Sequence, residues 1–561
     1  MIPVSGDSAT RGRGPSPRPR LLVASAVVVA LIAAGVFSFY SFTRPTIESI
    51  DPAFADPGAV VSIDGTNFGT RRGESRVEVD GVDPTSDSYM DWSPTRISVR
   101  LPGTVDSGLV YVITDRGRSN PKLFMNKARL PVEPQAVASG GTGPWIGSLS
   151  ADRGYIGMLM TIKGSGFGSR VPGSSVRFAW NPEDPPGAPG ERSSPATIAP
   201  VDPWFAYEDW SDSEIRVHVP DGAVSGAVFV RTPQGDSNSL FFDVVDQPGS
   251  KRLYDRRSYS ITYSVTISKV QASGVNELWL RVPRPAEDTS QVVVRNLQED
   301  PVPYNEDDHG FALYRFRDLQ NGQDVSVNLG WLVQTYAIET KIDPDNIKTA
   351  EVKGDYQLAY LVQDGLVPSN DPAVTKLAAS ITKGETNPYR AAKAIYDWLV
   401  QSLRWRDGGD RKTVLEALAS READSWNYGI ITTALLRAAG VPALPVAGLL
   451  VDPSRATAKH TWVEFLVPGF GWVPMDPILG SGARPGGFQP AFDDISRYFG
   501  NLDDRRIAFS RGYVDLEPMA ANGRRASPAR PIAYQTWFEE AAGALEAYSS
   551  FWSDVEVTGM Y

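Results

Sequence analysis

The pattern of apolar and polar positions divides the chain into stretches of different period. After a polar, arginine-bearing opening, residues 21–43 (LLVASAVVVALIAAGVFSFYSFT) carry no charge. As a helix this run spans roughly 34 Å against a hydrocarbon core of about 30 Å, so it predicts a single transmembrane helix. A cleaved signal peptide has a shorter apolar core, roughly 7–15 residues. The aromatic outer end, Phe37, Phe39, Tyr40 and Phe42, suits a membrane interface. From residue 45 the period falls to two. Ile97, Val99 and Leu101, and again Ile215, Val217 and Val219, alternate as half-buried strands do. Residues 259–267, 277–283 and 325–331 continue in the same way.

The period turns helical at Asn387-Pro388, an N-cap followed by a first-turn proline. Tyr389, Ala392, Ile395, Tyr396, Leu399 and Leu403 follow on one face. A short helix is expected from Thr413 to Ala419. A third begins near Ser425 and ends at Gly440, with a strand starting at Val441. In residues 533–552, Trp537, Phe538, Ala541, Leu545, Tyr548 and Trp552 fall on one helical face, predicting an amphipathic helix. The expected organisation is a basic tail (1–20), a transmembrane helix (21–43), β-domains at 45–130 and 144–246, a third β-rich domain (250–345), an α+β domain (350–512), a linker (513–532) and a C-terminal helix (533–561).

The first two β-domains repeat one another. Ile63-Asp-Gly-Thr-Asn-Phe-Gly69 is matched by Ile162-Lys-Gly-Ser-Gly-Phe-Gly168. Trp92-Ser-Pro-Thr-Arg-Ile-Ser-Val-Arg-Leu-Pro102 is matched by Trp210-Ser-Asp-Ser-Glu-Ile-Arg-Val-His-Val-Pro220. Thr114-x-x-Gly117-x-Ser119-Asn120 is matched by Thr232-x-x-Gly235-x-Ser237-Asn238. The glycines suit turns that need positive φ. Both copies resemble IPT/TIG domains, which implies immunoglobulin-like β-sandwiches serving as spacer, adhesion or carbohydrate-contacting modules.

Charge narrows the partners. The chain carries a net −11, yet residues 1–44 hold five arginines against Asp7 alone, leaving an acidic body. Such a body, without a basic stripe, argues against nucleic acid. The arginines before residue 21 orient the predicted helix with its N-terminus in the cytoplasm and residues 45–561 outside, as a single-pass membrane protein. The 561 residues include no cysteine, which excludes disulfides, thiolate metal sites and cysteine catalysis. With only His218, His309 and His460, a histidine-rich metal site is not expected, and no cofactor is implied.

The chemistry concentrates in three ordered stretches. Ala423-Asp-Ser-Trp-Asn-Tyr-Gly-Ile-Ile-Thr-Thr-Ala-Leu-Leu-Arg-Ala-Ala-Gly places Ser425 at a helix start, where the dipole favours negative charge. Lys459-His460-Thr-Trp-Val-Glu464 puts His460, Trp462 and Glu464 on one strand face, and Trp472, Pro474 and Asp476 alternate likewise. These motifs resemble the nucleophile helix, histidine strand and aspartate strand of the transglutaminase-like superfamily. The resemblance implies a papain-like core with helices on one side of an antiparallel sheet. It also implies a site at Ser425, His460 and Asp476 lined by Trp426, Trp462, Glu464 and Trp472. At the position of Ser425 that family has cysteine.

The difference matters because a thiol of pKa about 8.5 ionises beside a histidine and a helix N-terminus, whereas a hydroxyl needs its proton removed during attack. Three readings stay open: a non-catalytic domain whose cleft binds an envelope protein or a peptidoglycan peptide; a serine-dependent amide hydrolase or acyltransferase using Ser425, His460 and Asp476; and a structural element of an envelope assembly.

Overall fold

The computed structural model describes residues 44–560 apart from 53, 56–57, 80–81, 103–104, 106–107, 121, 127–142, 172, 184–195, 202–205, 246, 348–357, 408–411 and 529–530. It divides into two compact units, residues 1–140 and 141–561.

The first unit is a two-sheet β-sandwich. One sheet runs Thr46–Asp51, Val60–Thr66, Arg96–Arg100, Tyr89–Trp92, and the other contains Phe54–Ala55, Lys122–Asn126, Gly108–Thr114 and Arg76–Val79. Ile63, Ile97, Val99, Val77 and Val112 are fully buried between them, which is the alternation seen in the sequence. The second unit opens with the same sheet order, Trp145–Leu149, Leu159–Ser165, Glu214–His218, Tyr207–Trp210. Equivalent residues lock both sandwiches. The Asn120 amide bonds Ile47 N–H (2.7 Å) and C=O (2.9 Å), and the Asn238 amide bonds Ile146 N–H (2.7 Å) and C=O (2.9 Å).

The rest of the second unit consists of a large sheet and an α+β core. The large sheet is built on β1 (Gly249–Pro283), with β2 (Gln291–Asp300), β3 (Phe311–Arg317) and β4 (Val325–Ile342). In the core, α1 (Pro372–Thr382), α2 (Pro388–Ser402), α3 (Val414–Ser420) and α4 (Ser425–Ala438) precede β5 (Ala443–Val451), β6 (Thr457–Val467) and β7 (Gly471–Met475). A short α5 (Pro477–Gly480) and β8 (Arg506–Arg511) follow, and the antiparallel order is β7-β6-β5-β8. Asn387 caps α2 through Tyr389 and Arg390 N–H, as the sequence suggested. The helices cover the sheet face carrying Ala447, Val463, Phe465 and Val473. Trp462, Leu466 and Trp472 pack on the opposite face with Tyr360, Tyr498 and Leu502.

The C-terminal segment corrects the sequence reading. Residues 533–552 do not form a helix; β9 (Arg524–Ala526), β10 (Glu539–Trp552) and β11 (Glu556–Met560) return to the large sheet, where β10 and β11 pair with β1. Alanine-rich composition favours helix only weakly, and tertiary pairing overrides it. Gly543 has φ +68° and lies so close to β1 that a Cβ would meet Val275 O at 2.4 Å. Glu540 is fully buried, accepting the N–H groups of Met519 (3.1 Å) and Ala520 (2.5 Å). The expected linker is also partly packed: Val514 and Leu516 are buried and β9 pairs with β10.

The fold class with a transmembrane helix, and the single-pass localisation built on it, are corrected as well. Among the described residues no helix is long and apolar enough to cross a membrane. The longest described helix, α2, has 15 residues, which reaches about 22 Å at about 1.5 Å per residue. Residues 21–43, which carried the expectation, lie outside the described residues. The described residues are mostly β-strand, with one α+β core in the second unit.

Candidate functional site

The site forms where α4 begins. Asp424 caps that helix by accepting Asn427 N–H at 2.9 Å, so Ser425 is its first residue. Just ahead, Glu422–Ala423 pairs in parallel with Arg404–Trp405. That pairing places the Trp405 indole, whose Nε1–H donates to Ser425 Oγ at 3.0 Å. The first turn is also held from its carbonyl side. The Thr461 hydroxyl donates to Ser425 C=O, and the Tyr534 hydroxyl donates to Trp426 C=O at 3.0 Å. Gly429 has no side chain to obstruct this clamp; a Cβ there would meet Tyr534 Oη at 2.8 Å and Thr461 Oγ1 at 2.9 Å.

His460 lies on β6 opposite Gly448 of β5. Its Nε2 is 2.8 Å from Asp476 Oδ2. The same oxygen accepts from Arg506 Nη1 at 2.7 Å, while Asp476 Oδ1 accepts Leu479 N–H at 3.0 Å and so caps α5. Arg506 also reaches Asp503 Oδ2 at 3.1 Å, an oxygen that takes the Tyr498 hydroxyl at 2.9 Å. Both His460 and Asp476 are shut off from solvent. Burial pushes the Asp476 carboxyl up, but His460, then Arg506, outweigh it and hold the group well below the usual carboxylate range. Burial opposes the Arg506 charge too, yet Asp503 and Asp476 raise its pKa. Asp476 is therefore a carboxylate that can only accept, and His460 Nε2 carries the proton. His460 Nδ1 has no hydrogen-bond partner.

Ser425, Trp426, His460 and Thr461 border one cavity of about 830 Å³. Part of its wall comes from the C-terminal return, with Pro528, Pro531, Ile532, Gln535 and Phe538. Asp476 lies behind His460, outside this lining.

Three residues expected in the cleft do not border that cavity. Trp462, Glu464 and Trp472 lie on the sheet face turned away from α4, where strand alternation places the even-numbered residues of β6. Trp462 packs beneath the Arg506 guanidinium, 5.4 Å from its ring centre. Glu464 is buried against Arg511 Nη2 at 2.5 Å; burial raises its pKa more than Arg511 lowers it. Trp472 meets Tyr360 edge to face at 5.0 Å. His460 shares their strand face, but it lies near the start of β6, where its buried ring meets Asp476.

Sequence reasoning missed Trp405, Thr461, Arg506, Tyr534 and Gln535. Thr461 adjoins His460, and its odd position toward α4 was available from alternation. Tyr534 and Gln535 were hidden by the helical reading of their segment. Among the described residues no three His, Asp or Glu side chains group as a metal site.

Comparison with known proteins bears on this core directly. Residues 375–477 match the transglutaminase-like superfamily and residues 45–125 match the IPT/TIG domain. The chain thus carries a transglutaminase-like core preceded by an IPT/TIG domain. It is 26% identical over 202 residues to a protein of Haemophilus influenzae named only as uncharacterised, covering 29% of this chain and 54% of that protein. It is 33% identical over 110 residues to a cyclomaltodextrin glucanotransferase of Bacillus sp., covering 20% of this chain and 14% of that enzyme. The chain therefore spans about half of the first relative and a small part of the second. Among solved structures, a protein of Cytophaga hutchinsonii provisionally named a cysteine protease aligns with 56% of this chain and 92% of its own, at 14% identity and a TM-score of 0.35.

Proposed function

We propose that the transglutaminase-like core is a binding domain whose cleft takes a peptide without forming a covalent bond to it. One observation carries this reading. The recorded partner of Ser425 Oγ is the Trp405 indole, and no hydrogen bond joins Ser425 to His460. A serine without a hydrogen-bonded base at attack geometry stays a neutral hydroxyl, because its proton must leave as it attacks. Retention of the aspartate has a structural explanation: Asp476 caps α5 and neutralises the buried Arg506. The cavity beside Ser425 supports a ligand-binding role over a purely structural one.

A serine acyltransferase or hydrolase is the second reading. The unpartnered Nδ1 of His460, with Asp476 behind it, is what favours it. The two separate on intact mass after exposure of the protein to a fluorophosphonate, beside Ser425→Ala. The binding reading expects an unmodified chain. A single adduct lost in the alanine variant would replace it with the serine-enzyme reading.

A further inference from the structure

The charges that border the cavity beside Ser425 are sorted by exposure. The positive ones are enclosed: Lys459 and Lys412 line the cavity with side chains only 32% and 31% exposed. Two of the negative ones face water, since the Asp554 side chain is 82% exposed and Asp407 is exposed as well. The third carboxylate, Asp424, is half-buried and accepts Asn427 N–H as the cap of α4. The start of α4 opens on the same cavity and adds the positive end of a 14-residue helix dipole.

Strand geometry explains where Lys459 lies. The odd-numbered positions of β6 turn toward α4: Thr461 donates to Ser425 C=O, and Val463 and Phe465 pack under the helices. Lys459 is the next residue on that face, about 7 Å along the strand from Thr461. Its ammonium meets Asp554 Oδ1 at 3.0 Å, which ties β6 to the turn between β10 and β11. An ion pair whose carboxylate stays so open to water is weak, and a ligand carboxylate can take its place. Lys412 has only a shared counter-charge. Glu422 stands 3.7 Å from it and is also approached by Arg404 and Arg406. An anion entering the cavity therefore meets partly enclosed ammonium groups, whereas a cation meets carboxylates that are already hydrated or engaged.

We propose that Lys459 is a ligand-contacting, specificity-determining residue of this cleft, and that it takes a carboxylate of the bound peptide in exchange for Asp554. This rests on the binding reading above and adds the charged group recognised, which is either the C-terminus of the peptide or an acidic side chain. Half-buried Leu366, Val414, Trp426 and Ile532 border the same cavity and offer apolar surface for the rest of the peptide.

The test is titration calorimetry on the full chain with four peptides. Acetyl-trialanine carries a terminal carboxylate, acetyl-trialanine amide is neutral, acetyl-Ala-Glu-Ala amide carries a side-chain carboxylate, and acetyl-Ala-Lys-Ala amide is a cation. At least one carboxylate peptide is expected to bind about five- to tenfold tighter than the neutral amide, and added salt should narrow that gap. Which of the two it is identifies the source of the carboxylate. Lys459→Met, which keeps the stem and removes the charge, should abolish the preference and leave the neutral amide unchanged. Asp554→Asn, at a position open to water, should strengthen the carboxylate peptide about twofold by releasing Lys459. Opposite effects from the two members of one ion pair are the signature of exchange. If the pair only ties β6 to the C-terminal turn, both variants will weaken all four peptides alike, and the proposal falls. Equal affinity for acid and amide on the wild-type chain, or tightest binding of the cationic peptide, also overturns it without recourse to any variant. A preference that survives in a folded Lys459→Met chain removes Lys459 from the contact. Binding of none of the four removes the binding reading itself.

Discussion

Asp476 bears more on the site than any other single residue. Its two oxygens serve His460, Arg506 and the first turn of α5 while fully buried. Replacing it with asparagine leaves Arg506 with Asp503 alone and removes the charge facing His460. Breaking a buried ion pair from one side costs about 3–5 kcal/mol, and Asp476→Asn should lower stability by that order in urea unfolding at pH 7. The pH dependence follows from the direction of the shift. The folded pKa of Asp476 lies below its unfolded value, so its contribution is complete above the ordinary carboxylate pKa of about 4 and is lost as pH falls through the folded pKa. Glu464 has the opposite sign. Its folded pKa is raised, so its contribution is complete below the unfolded value and lost as pH rises through the folded one. Urea midpoints measured from pH 2 to 7 should therefore lose part of their acid-side fall in Asp476→Asn, whereas Glu464→Gln should remove a term of opposite slope. At this scale Ser425, His460 and Asp476 stood out in the sequence through the resemblance of three ordered motifs to the transglutaminase-like superfamily. The sequence was silent on Trp405 and Arg506, whose roles depend on contacts between distant segments.

At the scale of elements, α4 shows why the core helices were legible and the C-terminal strands were not. Its start follows from the Asp424 cap and its end from Gly440, both local signals. The return of residues 533–552 to β1 is encoded by partners more than 250 positions away, and a helical apolar period there coincides with a strand. The two elements meet at Gly429, under Tyr534 and Thr461. Glycine in an ordinary helix interior is worse than alanine by about 1 kcal/mol. Here the sign should reverse. Gly429→Ala is expected to destabilise by about 1–3 kcal/mol through overpacking, and to displace the first turn that carries Ser425. Because the Tyr534 hydroxyl is one of the two atoms in the way, Tyr534→Phe should relieve part of that cost. Denaturation of the two single variants and the double variant would reveal the coupling. Additive effects would mean that the helix shifts away from the clamp without loss.

The whole molecule has a topology that a linear reading of domains conceals. The large sheet is expected from the sequence as residues 250–345, closed before the core begins. It is in fact completed by β9, β10 and β11, so the transglutaminase-like core is inserted between two parts of one sheet. Trp537, Ala541, Leu545, Val555 and Val557 are buried in the same cluster as Tyr259, Val265 and Leu280, and Tyr534 is buried among the core helices. Removing one large buried side chain costs about 3–5 kcal/mol, while a domain is stable by only about 5–15 kcal/mol. A chain ending at residue 512, the expected end of the α+β domain, should therefore fail to fold its second unit even though every motif of the site is retained. A chain beginning at residue 141 should behave differently, since the first unit closes its own core around Ile63, Ile97, Val99 and Val112. Calorimetry should give the 141–561 chain a transition at the temperature of the corresponding transition in the full chain, and the 1–512 chain only the transition of the first unit. A cooperative second transition in the 1–512 chain would mean that the core stands without the strands that return to it. The wall carrying Gln535 would then be an accessory to the cleft and not part of the body that shapes it.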